Sequence, residues 1–149
     1  MNIYVKPKDS PKIYALVRDI YGDPLGIEAT DLIKFTYSVY QVTAGTRYPV
    51  EGFVGVDIQP SNYYPETQTY PENIQGLSTI ERAEGYNVEV FPYKTGSTTI
   101  SGHTVWESPF TEQGVYELVV DMSYLMNDVA LEGTSVINKT FSVQVRVEE

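Results

Sequence analysis

Ile137-Asn138-Lys139-Thr140-Phe141-Ser142-Val143-Gln144-Val145-Arg146-Val147 places an apolar side chain at every second position but one. Successive side chains of a strand point to opposite faces, so the stretch reads as a β-strand with one buried and one solvated face. Ile33-Lys34-Phe35-Thr36-Tyr37-Ser38-Val39 repeats the pattern a hundred residues earlier. Half-buried strands of this kind belong to antiparallel sheets, and the chain is read as all-β.

Working outward, Ile3-Tyr4-Val5 reads as a short first strand and Lys12 to Ile20 as the first long one. The latter ends in the turn formers Tyr21-Gly22-Asp23-Pro24-Leu25-Gly26. Leu32 to Val42 follows Asp31, and Ala44-Gly45-Thr46 makes a tight connection into a segment running from Arg47 through Ile58. Gln59 to Gly76, with its Tyr and Pro residues, shows no usable period and is read as one long loop. Loops of this length inside a domain are often docking elements. Ser78-Thr79-Ile80-Glu81 matches a capping box with Gly85 as a stop, predicting a short helix over Leu77 to Glu84.

Strands resume at Tyr86 to Tyr93, Thr98 to Ile100, Thr104 to Glu107, Val115 to Met122 and Val136 to Val147, with Gly96, Gly102, Gly114 and Gly133 in the breaks. About eight strands at this spacing predict two packed antiparallel sheets, since one sheet of that size would leave an apolar face wet. A single β-sandwich domain over residues 1–149 is expected, with a β-barrel as the alternative.

Ten Lys and Arg against twenty Asp and Glu give a net charge of −10, which repels phosphate backbones and anionic membranes. Neither nucleic acid nor a membrane is expected as a partner. With no cysteine there is no thiol catalysis, Cys-ligated zinc or disulfide. Met1 to Pro7 is too short an apolar run for a secretion signal, and no stretch is long enough for a spanning helix.

His103 is the only histidine, and no serine or carboxylate is tied to it by a known spacing. Asp19, Asp23, Glu28 and Asp31 crowd one turn without EF-hand spacing and are read as solvated turn acids, with calcium as the competing idea. No spacing singles out a glycosidase pair, and no phosphate-cradling glycine motif or HExxH is present. Asn138-Lys139-Thr140 fits a glycosylation sequon by chance. No catalytic residue, metal ligand or cofactor is assigned, and the chain is read as non-enzymatic.

Thirteen tyrosines dominate the aromatic content, and Tyr63, Tyr64 and Tyr70 gather beside the loop prolines. Tyrosine offers a flat apolar face and a hydroxyl, which suits self-packing, a protein interface and sugar stacking alike.

Phe110-Thr111-Glu112-Gln113-Gly114-Val115-Tyr116-Glu117-Leu118 resembles the acid-x-Gly-x-Tyr segment of immunoglobulin-like domains, whose tyrosine closes a corner hydrogen bond. Glu112 stands for the usual Asp, Leu118 for the antibody cysteine, and Trp106 lies too near Tyr116 to be the antibody core tryptophan. The order of elements, with the Tyr21 to Leu25 turn, Ala29 to Phe35, then Gly114-Val115-Tyr116 and a closing strand, is similar to Ig-like domains of tailed-bacteriophage structural proteins. The N-terminal domains of baseplate upper proteins and some capsid decoration proteins are examples. The resemblance covers about two thirds of the chain and carries over no individual functional residue. It implies a virion component assembled in the host cytoplasm, in a capsid, tail or baseplate. It would be homo-oligomeric or lattice-bound and dock to other virion proteins through Tyr63, Tyr64 and Tyr70. A carbohydrate-binding or host-recognition module is the alternative.

Overall fold

The computed structural model describes residues 2–72, 74, 77–128 and 133–149. Its backbone is set by three long strands, β3 (Leu32–Thr43), β10 (Gly114–Asp128) and β11 (Gly133–Val147). β10 lies between the other two, antiparallel to both, with Tyr116 opposite Val145 on one side and Gln41 on the other. β1 (Asn2–Val5) adds to β11, while β4 (Thr46–Pro49) and β5 (Val56–Asp57) add to β3, completing a six-stranded sheet. A second sheet has the order β2 (Ile13–Ala15), β7 (Tyr86–Val90), β6 (Tyr63–Gln68), and β8 (Lys94–Ile100) pairs with β9 (His103–Glu107) as a separate hairpin.

The alternation read from sequence maps onto burial. Phe35, Tyr37 and Val39 of β3, Leu118, Val120 and Met122 of β10, and Val143, Val145 and Val147 of β11 all turn into one core. Ile13, Tyr63, Val88 and Val90 of the smaller sheet enter the same cluster, so both sheets share it. The fold is all-β, as expected. Tyr116 sits at the start of β10, and its hydroxyl both donates to the Glu112 carbonyl and accepts from the Glu112 amide, each at 3.2 Å. The Ala44-Gly45 connection turns β3 into β4 with both residues at positive φ (52° and 78°), the geometry of the tight hairpin turn. The short helix α1 (Thr79–Glu84) forms with Ser78 and Glu81 in a reciprocal capping box and Gly85 at φ 84°.

Four expectations need correction. The large sheet is mixed, because β1 runs parallel to β11. Eleven strands are found among the described residues where about eight were expected. Within Gln59 to Gly76 the chain forms a 3-10 turn at Pro60–Asn62 and then β6. Pro65 is tolerated there because β6 is an edge strand, where a missing N–H on the outer side costs no ladder bond. Asn73, Gln75 and Gly76 of that segment lie outside the described residues. Finally, the strand expected over Lys12 to Ile20 is only Ile13–Ala15. Val17 bonds instead to a side chain and to the next turn: its amide donates to Asn87 Oδ1 at 2.8 Å, and its carbonyl accepts from Asn87 Nδ2 and from the Leu25 amide, both at 2.9 Å.

Asn87 is fully buried, so truncating it leaves the Val17 amide without a partner and takes one of two donors from the Val17 carbonyl, which keeps the Leu25 amide. Asn87→Ala should lower the unfolding free energy by about 2–3 kcal/mol, against about 1 kcal/mol for Tyr116→Phe, which keeps its ring packing. Urea unfolding of the two variants checks the ranking.

Candidate functional site

The three tyrosines singled out from sequence are placed largely within their own domain. Tyr63 is buried in the core, and its hydroxyl reaches the carbonyls of Leu25 and Ile27 at 3.0 and 2.8 Å. Tyr70 packs with Tyr14 and Tyr86, its ring centre 5.2 Å from that of Tyr86. Tyr64 is half-buried on the rim of that cluster, where its hydroxyl donates to Glu89 Oε2 at 2.9 Å. As they stand, Tyr63 and Tyr70 present no ring to a partner, which corrects their expected position as surface anchors. For Tyr63 the reason is the strand that replaced the loop, since consecutive residues of β6 face opposite ways and send Tyr63 into the main core and Tyr64 to the other side; Tyr70, beyond the end of β6, packs back onto Tyr14 and Tyr86.

A different aromatic surface is exposed. After β7 the chain turns tightly through Phe91-Pro92-Tyr93, closed by a bond from the Tyr93 amide to the Phe91 carbonyl at 3.0 Å, and enters the β8–β9 hairpin. Phe91, Tyr93 and Trp106 form a continuous row, with ring centres 5.5 Å and then 4.8 Å apart. Phe91 and Tyr93 are half-buried, but Trp106, the only tryptophan, is 60% exposed. Single exposed apolar residues are ordinary; an exposed tryptophan continuing a row of two further rings is not.

Charges along this row are balanced. Lys12 Nζ lies 4.5 Å from the Phe91 ring centre and 3.8 Å from Glu89, while Lys94 lies 5.1 Å from the Phe53 ring and 3.7 Å from Glu107. In a chain of net charge −10, that makes the face one of the less repulsive for a protein neighbour. The end of the hairpin is fixed to the body by Ser108, whose hydroxyl donates to the Asp9 carbonyl at 2.6 Å and accepts from the Phe110 amide at 3.0 Å.

Successive ring planes in the row cross at 73° and 87°. A platform for an extended sugar needs ring faces displayed side by side in one plane, and these alternate edge and face. The arrangement suits insertion into a shaped protein surface, where tryptophan and tyrosine act as anchors.

The remaining candidates have little to converge on. His103 is exposed beside the hairpin turn, with no hydrogen-bond or ion-pair partner among the described residues. Asp19 Oδ1 accepts from the amides of Tyr21 and Asp23 at 2.9 and 3.0 Å, which is turn capping. Among the described residues no group of three or more His, Asp or Glu side chains is placed to hold a metal ion. A cleft of about 280 Å³ between Tyr14, Arg18, Tyr70, Glu84 and Phe141 falls just short of ordinary ligand pockets.

Sequence reasoning missed Lys12, Phe91, Tyr93 and Trp106 as a set. The signal available was the lone tryptophan in a short strand ending at Ser108-Pro109, but alternation cannot tell a core-facing ring from an exposed one. No family model matches the chain, and neither a curated protein nor a solved structure matches it.

The buried tyrosines make stability sensitive to alkali. Burial pushes the hydroxyls of Tyr37 and Tyr63 up to about 12, and the hydrogen bond to Glu89, with burial, does the same for Tyr64. Tyr14, Tyr70, Tyr86 and Tyr124 are raised chiefly by burial. An unfolded tyrosine ionises near 10, so above that pH the unfolded chain holds fewer protons than the native one and gains relative to it. The contribution is complete below about pH 10 and is lost as pH rises toward about 12. Chemical unfolding midpoints should therefore stay level from pH 8 to 10 and fall steeply above it; a level midpoint through pH 12 contradicts the burial.

Proposed function

We propose that the protein is a non-enzymatic docking domain of a bacteriophage virion, Ig-like in strand order, that binds another virion protein through the Phe91-Tyr93-Trp106 face. The observation that carries the docking reading is the 60% exposure of Trp106, on a hairpin paired with neither sheet, at the end of a row of aromatic rings. Protein interfaces concentrate such side chains at their centres.

The Ig-like part is supported by connectivity. β2-β7-β6 follows the B-E-D order and β11-β10-β3-β4 the G-F-C-C′ order of a variable-type Ig sandwich, with the Tyr116 hydroxyl closing the corner at Glu112. The virion part rests on the resemblance of element order to tail and capsid accessory domains. An acidic, cysteine-free β-domain fits that setting, because particles assembled in a reducing cytoplasm draw durability from sheets and subunit contacts.

The test is particle occupancy. Purified virions should carry the wild-type chain in fixed proportion to the major capsid protein. Trp106→Ala, with an unchanged melting temperature, should fall to roughly a tenth of that occupancy or less, the loss of one anchor worth about 2 kcal/mol. Equal occupancy of the variant, or saturable binding of the free chain to a glycan that the variant loses, overturns the assignment.

A further inference from the structure

β11 is covered by β1 only from Gln144 to Val147. From 135 to 143 it has no strand on the side away from β10 among the described residues. An uncovered edge is a template for another strand, and proteins ordinarily guard such edges with proline, charge or shortness. Three of the other edges are guarded in those ways. β4 ends at Pro49, β6 carries Pro65 and Glu66, and β2 is three residues long. Residues 135–141, Ser-Val-Ile-Asn-Lys-Thr-Phe, hold no proline, glycine or acid, and Lys139 is their single charge.

We propose that two copies of the chain join edge to edge through this segment, antiparallel about a two-fold axis at Asn138, continuing the large sheet from one protomer into its partner. Self-complementarity selects a second copy as the occupant, because antiparallel to itself the segment sets like or compatible side chains opposite one another. Two bodies of net charge −10 repel, and pairing through these seven residues, which carry no carboxylate of their own and span about 20 Å, keeps that repulsion low.

Side-chain alternation then fixes the register. Val136, Asn138 and Thr140 are exposed, while Ile137, Lys139 and Phe141 are half-buried, so residues of like parity must face each other. An axis at Lys139 would set two ammonium groups opposite one another, which is unfavourable. An axis at Ile137 would leave the Asn138 amide facing Val136. Centred on Asn138, amide meets amide, Val136 meets Thr140 twice, and the Lys139 stem covers Ile137. The segment lies near the outer end of the β10–β11 ribbon, where β10 pairs with β3 no further than Tyr124.

The absence of cysteine makes the test direct. In Asn138→Cys the two new thiols are directly opposed, with Cα atoms about 5 Å apart, within disulfide reach. In Val136→Cys they are about 14 Å apart and out of reach. Under mild oxidation Asn138→Cys should form a covalent dimer at least roughly tenfold faster than Val136→Cys. In sedimentation the wild type should dimerise with rising concentration, more strongly at higher salt as the mutual repulsion is screened. Asn138→Glu, which sets two carboxylates face to face, should be monomeric, with a melting temperature equal to that of the wild type at concentrations where the wild type is also monomeric. A wild type that stays monomeric, equal cross-linking rates at 136 and 138, or an unrelated extended peptide taking the edge in place of a second copy overturns the proposal. Trp106→Ala should leave this dimer intact, so the edge pairing and the aromatic docking face can each fail alone.

Discussion

The ladder on both sides of β10 is the constraint from which the other placements follow. Because β10 bonds to β3 and β11 at once, its side-chain register dictates theirs, and Leu118, Val120 and Met122 meet the inward residues of both neighbours. A one-residue slip anywhere along it would turn an entire buried set to solvent, which makes the register self-enforcing. β10 and β11 each run fifteen residues, longer than β1 can cover, and the same ladder that orders the core therefore leaves an edge uncovered.

The smaller sheet is held by different means. Its strands are short, and their pairing is supplemented by the Asn87 amide on Val17 and by a second apolar cluster of Tyr14, Tyr70 and Tyr86. Tyrosine serves there as core material that can keep its hydroxyl paired, as Tyr64 does with Glu89 and Tyr63 with two carbonyls. The tyrosine-rich composition is thus in part an internal matter; Tyr4, Tyr21 and Tyr48 are exposed as well, but the proposed docking surface is the contiguous row of Phe91, Tyr93 and Trp106.

Much of the fold was legible in the sequence where a local rule operates. The 11-residue alternation ending at Val147, the Ala44-Gly45 turn, the Ser78 capping box and the Tyr116 corner each depend on residues within a few positions of one another. What could not be read depends on distant partners. β6 was hidden because Pro65 is acceptable only on an edge, and edge position is a tertiary fact. The parallel placement of β1 against β11 joins the two ends of the chain and leaves no local mark. The candidate site was the least legible element. From sequence Tyr63 reads as a loop residue and Trp106 as part of a short strand, yet the first is 2% and the second 60% exposed, because burial is decided by which strand folds over them.

Hydrogen–deuterium exchange on the chain free and bound within purified virions tests the docking account most directly. Amide protection confined to residues 91–107, the segment that carries Phe91, Tyr93 and the hairpin with Trp106, is the expected result. Exchange in that segment unchanged between free and particle-bound chain, with protection elsewhere or nowhere, would contradict it.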